Sequence, residues 1–159
     1  MKNLIEEVKN INFSEEINKS DKQDKKRYVI LTVWELILIS WVVYIQYFLR
    51  PKNIELSSAN EFLLGTLPSL FGAAAFVAIL FAFHRILKMY YGKYSLYNSI
   101  IFSVLFTFIG FTVWETVRTI LYPFDIHDVI MTLIGCMMSG VLIIILFLDD
   151  LKTKKDRPF

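Results

Sequence analysis

FTVWETVRTILYPFDIHDVIMTLIGCMMSG, residues 111–140, decides the fold. An apolar segment ends with Glu115 and Arg118. A short turn then carries Pro123, Asp125, His127 and Asp128, and a second apolar segment opens with Thr132, Gly135 and Ser139 at helical spacing. Two apolar blocks joined by a polar turn read as a pair of membrane-crossing helices, because about 20 apolar residues in a helix span about 30 Å of hydrocarbon.

The same block length recurs outside this stretch. The chain has 159 residues, of which 55% are hydrophobic, and its mean hydropathy is +0.50. The apolar residues fall into four blocks, predicted as spans over about 28–48, 61–83, 97–121 and 129–148. The expected architecture is all-α: one polytopic domain of four transmembrane helices over 28–148, between a charged tail at 1–27 and a second tail at 149–159. The lipid bilayer is its first expected partner. Lys2, Lys9, Lys19, Lys22, Lys25, Lys26 and Arg27 precede the first block. Arg85, Lys88 and Lys93 follow the second, and Lys152, Lys154, Lys155 and Arg157 follow the fourth. The loop after the first block holds only Arg50 and Lys52, and the turn at 122–128 holds no Lys or Arg. Lys and Arg are retained on the cytoplasmic side, so both tails are expected in the cytoplasm and the turn at 122–128 outside.

Composition excludes several classes. A net charge of +2 with no clustered basic module does not suggest nucleic acid. Cys136 is the only cysteine, so no internal disulfide or cysteine metal site is expected. The polar start, with Glu6, Glu7, Glu15 and Glu16, does not read as a cleavable signal peptide. Leu4, Ile5, Val8 and Ile11 share one helical face, which reads as a weak surface helix. TVWE occurs twice, ending at Glu35 and Glu115. The two copies sit in opposite halves of spans that run the same way, so they do not make an inverted repeat.

The candidate chemistry lies where polar groups enter the blocks. Glu61, Gly65, Ser69 and Gly72 form one stripe, and Asp128, Thr132, Gly135 and Ser139 form another. Each has an acid at its mouth and small or hydroxyl groups below. Facing each other, they would pack closely at depth, since small residues let helix backbones approach in lipid. They would then splay into an outer pocket walled by Glu115 and Arg118 and rimmed by Asp125 and His127. Charged groups inside spans are costly and have a partner or a task. The binding set is therefore Glu61, Glu115, Arg118, Asp125, Asp128 and Thr132. Structural roles compete for the same residues: Glu115 and Arg118 can pair at i, i+3, and Asp125 can cap the fourth helix. Asp125, His127 and Asp128 diverge at a helix start, so no metal site is assigned. No nucleophile–base–orienter set is visible, so no catalytic residue and no cofactor are assigned. Glu35 is the second candidate, a lone carboxylate in the first span suited to proton-coupled exchange. Pro68 frees a carbonyl in the second span that a neighbour must satisfy.

The opening stretch resembles the VanZ-like family of small bacterial membrane proteins. Glu115 matches that family's acid near the end of one span. Phe124-Asp125 and Asp128 match its FD-x-x-D core, and Gly135 matches the first of two glycines in the next helix. Arg118 stands where the family has Gln, Thr132 where it has Asn, and Ser139 at the second glycine. The resemblance implies a multi-span bundle in the bacterial cytoplasmic membrane with a cell-envelope role, linked in the family's namesake to resistance to teicoplanin-type glycopeptides. A lipid, a glycopeptide or a cell-wall precursor is then the expected ligand. A small proton-coupled transporter using Glu35, and a scaffold or subunit whose small-residue seams bind a partner membrane protein, are the other expectations; an oligomer is a further expected partner.

Overall fold

The computed structural model describes residues 22–50, 58–91 and 95–153. The expected helix at Leu4–Ile11 and most of the first loop lie outside these residues. Helix α1 runs Lys22–Tyr44 and continues through Ile45–Leu49 in wider turns, where the amide of Arg50 donates to Ile45 O at 3.0 Å. Helices α2 (Ser58–Tyr91), α3 (Leu96–Arg118) and α4 (Ile126–Leu146) follow, and a short α5 (Leu148–Thr153) ends the described chain. Four of them, over Asp24–Leu49, Asn60–Leu87, Leu96–Arg118 and Ile126–Leu146, are long and apolar enough to cross a membrane. No strand occurs among the described residues.

Helix is what these sequences must form if their backbone polar groups are to be satisfied without water. The hydroxyls inside the blocks do not break this arrangement, because several bond back to the preceding turn. Thr32 donates to Tyr28 O, Ser40 to Leu36 O, Thr66 to Phe62 O, Thr112 to Phe108 O and Thr116 to Thr112 O. Local caps set two boundaries. Ser95 Oγ accepts from Asn98 N at the start of α3, and Asp125 Oδ1 accepts from His127 N at the start of α4.

Helix α2 is the centre of the bundle, and α1, α3 and α4 all pack on it. Ala73, Ala74, Ala75, Val77, Ala78 and Phe81 are buried along its length. The tightest seam is with α4. A Cβ added at Gly135 would run into the carbonyl of Leu70 and crowd the amide of Ala74, so only glycine lets the two backbones meet there. One turn further on, Ser139 Oγ donates to Ala74 O at 2.7 Å and accepts from Trp34 Nε1 at 2.9 Å. That hydroxyl ties α1, α2 and α4 together at depth.

The close seam therefore forms, but α2 presents a different face to it from the expected stripe. Leu70 and Ala74 meet Gly135, whereas Gly72 lies against the Phe111 ring of α3 and Gly65 has nothing within 4 Å. The run Ala73–Ala75 is slim on every side, so it makes as good a seam as the glycines. The boundaries differ as well. Helix α2 continues through His84 to Tyr91, a stretch expected to be loop. His84 Nδ1 lies 2.9 Å from Ser99 Oγ, and its ring stacks on Phe102 at 4.6 Å. Helix α3 ends at Arg118 rather than Leu121, and α4 starts at Ile126 rather than Val129.

At the end of the bundle where α1 starts, Arg27 bridges Asp24 at 3.1 Å and Asp150 at 2.7 Å, with its guanidinium 5.0 Å above the Phe147 ring. This joins the start of α1 to α5. At the opposite end, Arg50 answers the demand made by Pro68. Proline has no N–H to bond Leu64 O, and Arg50 Nε donates to that carbonyl at 3.1 Å while Nη2 donates to Gly65 O at 2.9 Å. Arg50→Ala is expected to cost about 1 kcal/mol, modest because the site is exposed. It should cost less in a Pro68→Ala background, where the restored amide can take Leu64 O. A double-mutant cycle on thermal unfolding in detergent checks this, and additive effects would contradict it.

Candidate functional site

Four helices enclose one mixed-polarity cavity at the end of the bundle that carries the α3–α4 turn. Its volume is about 330 Å³, at the small end of the range of ligand pockets, about 300–1,000 Å³. Its apolar wall comes from Val42, Pro68, Phe111, Trp114 and Val129, and its polar wall from Gln46, Ser69, Glu115, Arg118, Asp128 and Thr132. Asp128 is in the first turn of α4, Thr132 one turn deeper and Glu115 in the last turn of α3. The cavity thus reaches from the helix ends about a turn into the bundle.

Four of these polar groups, Ser69, Glu115, Arg118 and Asp128, form one connected set. Arg118 Nη1 donates to Glu115 Oε2 at 3.0 Å and to Asp128 Oδ2 at 3.4 Å. Ser69 Oγ donates to Asp128 Oδ1 at 2.9 Å, and the amide of Asp125 donates to Glu115 Oε1 at 3.4 Å. Glu115 and Asp128 are 5% and 8% exposed, whereas the Arg118 side chain is 38% exposed. Two nearly buried carboxylates therefore hold one end of a more open guanidinium, whose carbon lies 5.8 Å from the Tyr122 ring centre. Glu115 contacts both the arginine one turn nearer the helix end and the backbone amide of the residue that caps α4.

Of the six residues read from the sequence as a binding set, Glu115, Arg118, Asp128 and Thr132 line the cavity. Asp125 does not. It is half-buried beside the cavity and its carboxylate caps α4 through the His127 amide at 2.8 Å. Glu61 does not either. It lies exposed in the first turn of α2, and Ser69, two turns deeper, is the α2 group that reaches Asp128. His127 is exposed and packs edge-on against Phe62 at 5.0 Å. Glu35 is half-buried on α1 and is not among the cavity residues.

Two contributors were missed. Gln46 could not be read as a wall residue without knowing how α1 rotates as it widens after Tyr44. Ser69 was visible as part of a stripe, but its partner on α4 was not. Gln46 Oε1 in turn accepts from Arg50 Nη1 at 2.9 Å, so the arginine that serves the Pro68 break also steadies the cavity wall. Among the described residues no three His, Cys, Asp or Glu side chains converge as metal ligands would. No family model, curated protein or solved structure matches this chain.

Proposed function

We propose that this protein is a non-enzymatic, VanZ-like component of the bacterial cytoplasmic membrane that holds the polar group of an envelope ligand in this cavity. The observation that supports it is the convergence of Ser69, Glu115, Arg118 and Asp128, from three helices, on one space large enough for a small ligand group. A structural ion pair alone needs no cavity beside it, and a cavity for an apolar ligand needs no charges. With Lys and Arg setting the orientation, the chain ends are cytoplasmic and the cavity opens at the outer leaflet, where a glycopeptide, a lipid or a cell-wall precursor presents its headgroup. The Glu35 transporter reading gains no support, since nothing in the geometry couples Glu35 to the cavity. The scaffold reading needs an open seam of small residues, and the α4 seam is filled by α2.

The test is teicoplanin and vancomycin susceptibility of a sensitive host expressing wild type, Asp128→Asn or Glu35→Gln at matched levels. Protection by wild type and by Glu35→Gln, lost with Asp128→Asn, is the expected pattern. Protection lost only with Glu35→Gln would favour transport instead. No protection from well-expressed wild type would remove the resistance role.

A further inference from the structure

Arg118 carries five N–H donors in a planar fork. Both of its hydrogen bonds leave from Nη1. Its Nε–Nη2 edge, the edge that receives a carboxylate or phosphate in bidentate fashion, has no partner among the described residues. Being 38% exposed, the side chain is open to an incoming group. The two carboxylates that grip Nη1 cost the guanidinium little freedom to bind and hold it in one orientation. By itself, this is an anion site.

The charge balance argues against a bare anion. The cavity wall holds two carboxylates, Glu115 and Asp128, and one guanidinium, Arg118. Adding the next layer, Asp125 and Arg50, adds one charge of each sign, so the surroundings remain at one net negative charge. Arg50 is moreover engaged at all three nitrogens, with Nε, Nη1 and Nη2 bonded to Leu64 O, Gln46 Oε1 and Gly65 O. An anion placed on Arg118 would sit beside two poorly hydrated carboxylates in a low-dielectric wall, where like charges repel strongly. The carboxylates also keep acceptor capacity. Each oxygen has two lone pairs, and Asp128 Oδ1 takes only the Ser69 hydroxyl while Oδ2 takes only the long bond from Arg118.

We infer that the cavity takes a zwitterionic group of the phosphoethanolamine or amino-acid type, its anion on the Nε–Nη2 edge of Arg118 and its ammonium on Asp128 and Glu115. Such a ligand, an ethanolamine on a phosphodiester or an amino acid, brings no net charge and meets both signs of the wall in order. Thr132 and Gln46 supply neutral hydrogen bonds around it, and Val42, Phe111 and Trp114 receive its methylene groups. The inference rests on the ligand-binding reading above and specifies its charge class. A lipid headgroup and a free solute carry the same chemistry, and the arms of the experiment below distinguish them.

The experiment is a thermal-unfolding series on the full chain. In detergent it is challenged separately with glycerophosphoethanolamine, ethanolamine and inorganic phosphate. It is then reconstituted in nanodiscs of pure phosphatidylglycerol or with added phosphatidylethanolamine. Glycerophosphoethanolamine at saturation should raise the melting temperature by about 5 °C, with each half alone giving little. Arg118→Gln, Asp128→Asn and the cavity-filling Val42→Trp should each abolish the rise while still unfolding cooperatively. Stabilisation by phosphatidylethanolamine nanodiscs assigns the group to lipid, and stabilisation by the solute only assigns it to a free molecule; both support the inference. An equal rise with phosphate alone or ethanolamine alone, lost in the variants, overturns the zwitterion and leaves the site. A rise that survives all three variants overturns the site as well. No rise with any probe or nanodisc overturns the zwitterion.

Discussion

Gly135→Ala is expected to lower the melting temperature of the protein more than a methyl addition at any other of the described glycines. The new Cβ would meet the Leu70 carbonyl and the Ala74 amide, which are backbone atoms of a helix fixed on three sides. Neither can rotate away, so α2 and α4 must move apart. Overpacking of this kind costs about 1–3 kcal/mol and occasionally more, and for a chain of this length each kcal/mol is worth about 2–4 °C. The separation would also strain the Ser139–Ala74 hydrogen bond one turn away and loosen the Ser69–Asp128 contact at the cavity. Gly110→Ala and Gly65→Ala are the controls. Nothing lies within 4 Å of an added Cβ at either position, and alanine is the better helix former by about 0.5–1 kcal/mol, so both should be neutral or mildly stabilising. Thermal unfolding of the three variants in one detergent checks this. Equal losses at all three would show that α2 and α4 do not meet at Gly135.

Asp128→Ala is the second large effect. It removes the acceptor for Ser69 and one of the two carboxylates that hold Arg118. Ser69 is half-buried at the cavity wall, so losing its acceptor costs about 1 kcal/mol, the low end of the range for an unpaired hydroxyl. Arg118 adds less, because its side chain reaches solvent and keeps Glu115 at 3.0 Å. Asp128→Asn should recover much of the loss, since an amide oxygen can still accept from Ser69 while the charge opposite Arg118 is gone. The pairing can be isolated by crossing Asp128→Ala with Ser69→Ala. The double variant should be less destabilised than the sum of the singles, and strict additivity would mean that the two side chains are not in contact.

How much of this was readable in the chain differs by feature, for physical reasons. The four helices follow from block length and apolarity, which are properties of the sequence alone. The pair Glu115–Arg118 and the cap at Asp125 were also legible, because i, i+3 neighbours and N-caps are fixed within one helix or turn. The Gly135–Ser139 seam was visible as spacing. Its counterpart was not, because Leu70 and Ala74 meet α4 through backbone atoms, which leave no trace in side-chain pattern. Arg50 could be read only as the stop to a span. Its bond to Leu64 O depends on how α1 and α2 are set in register, although the vacancy left by Pro68 announced that some donor had to arrive. Glu61 lies outside the cavity for the opposite reason. It lies on the same helical stripe as Ser69, but α2 starts well before the cavity and holds it outside.

The central claim is that the space between Arg118, Asp128 and Thr132 is a binding site. Native mass spectrometry of the purified wild type beside Val42→Trp and Arg118→Gln tests it most directly. Val42→Trp fills the cavity without altering a charge, and Arg118→Gln alters a charge without filling it. One retained small molecule or lipid on the wild type, and its loss from both variants, is the expected result. The same retained molecule on all three, or none on any, would contradict it.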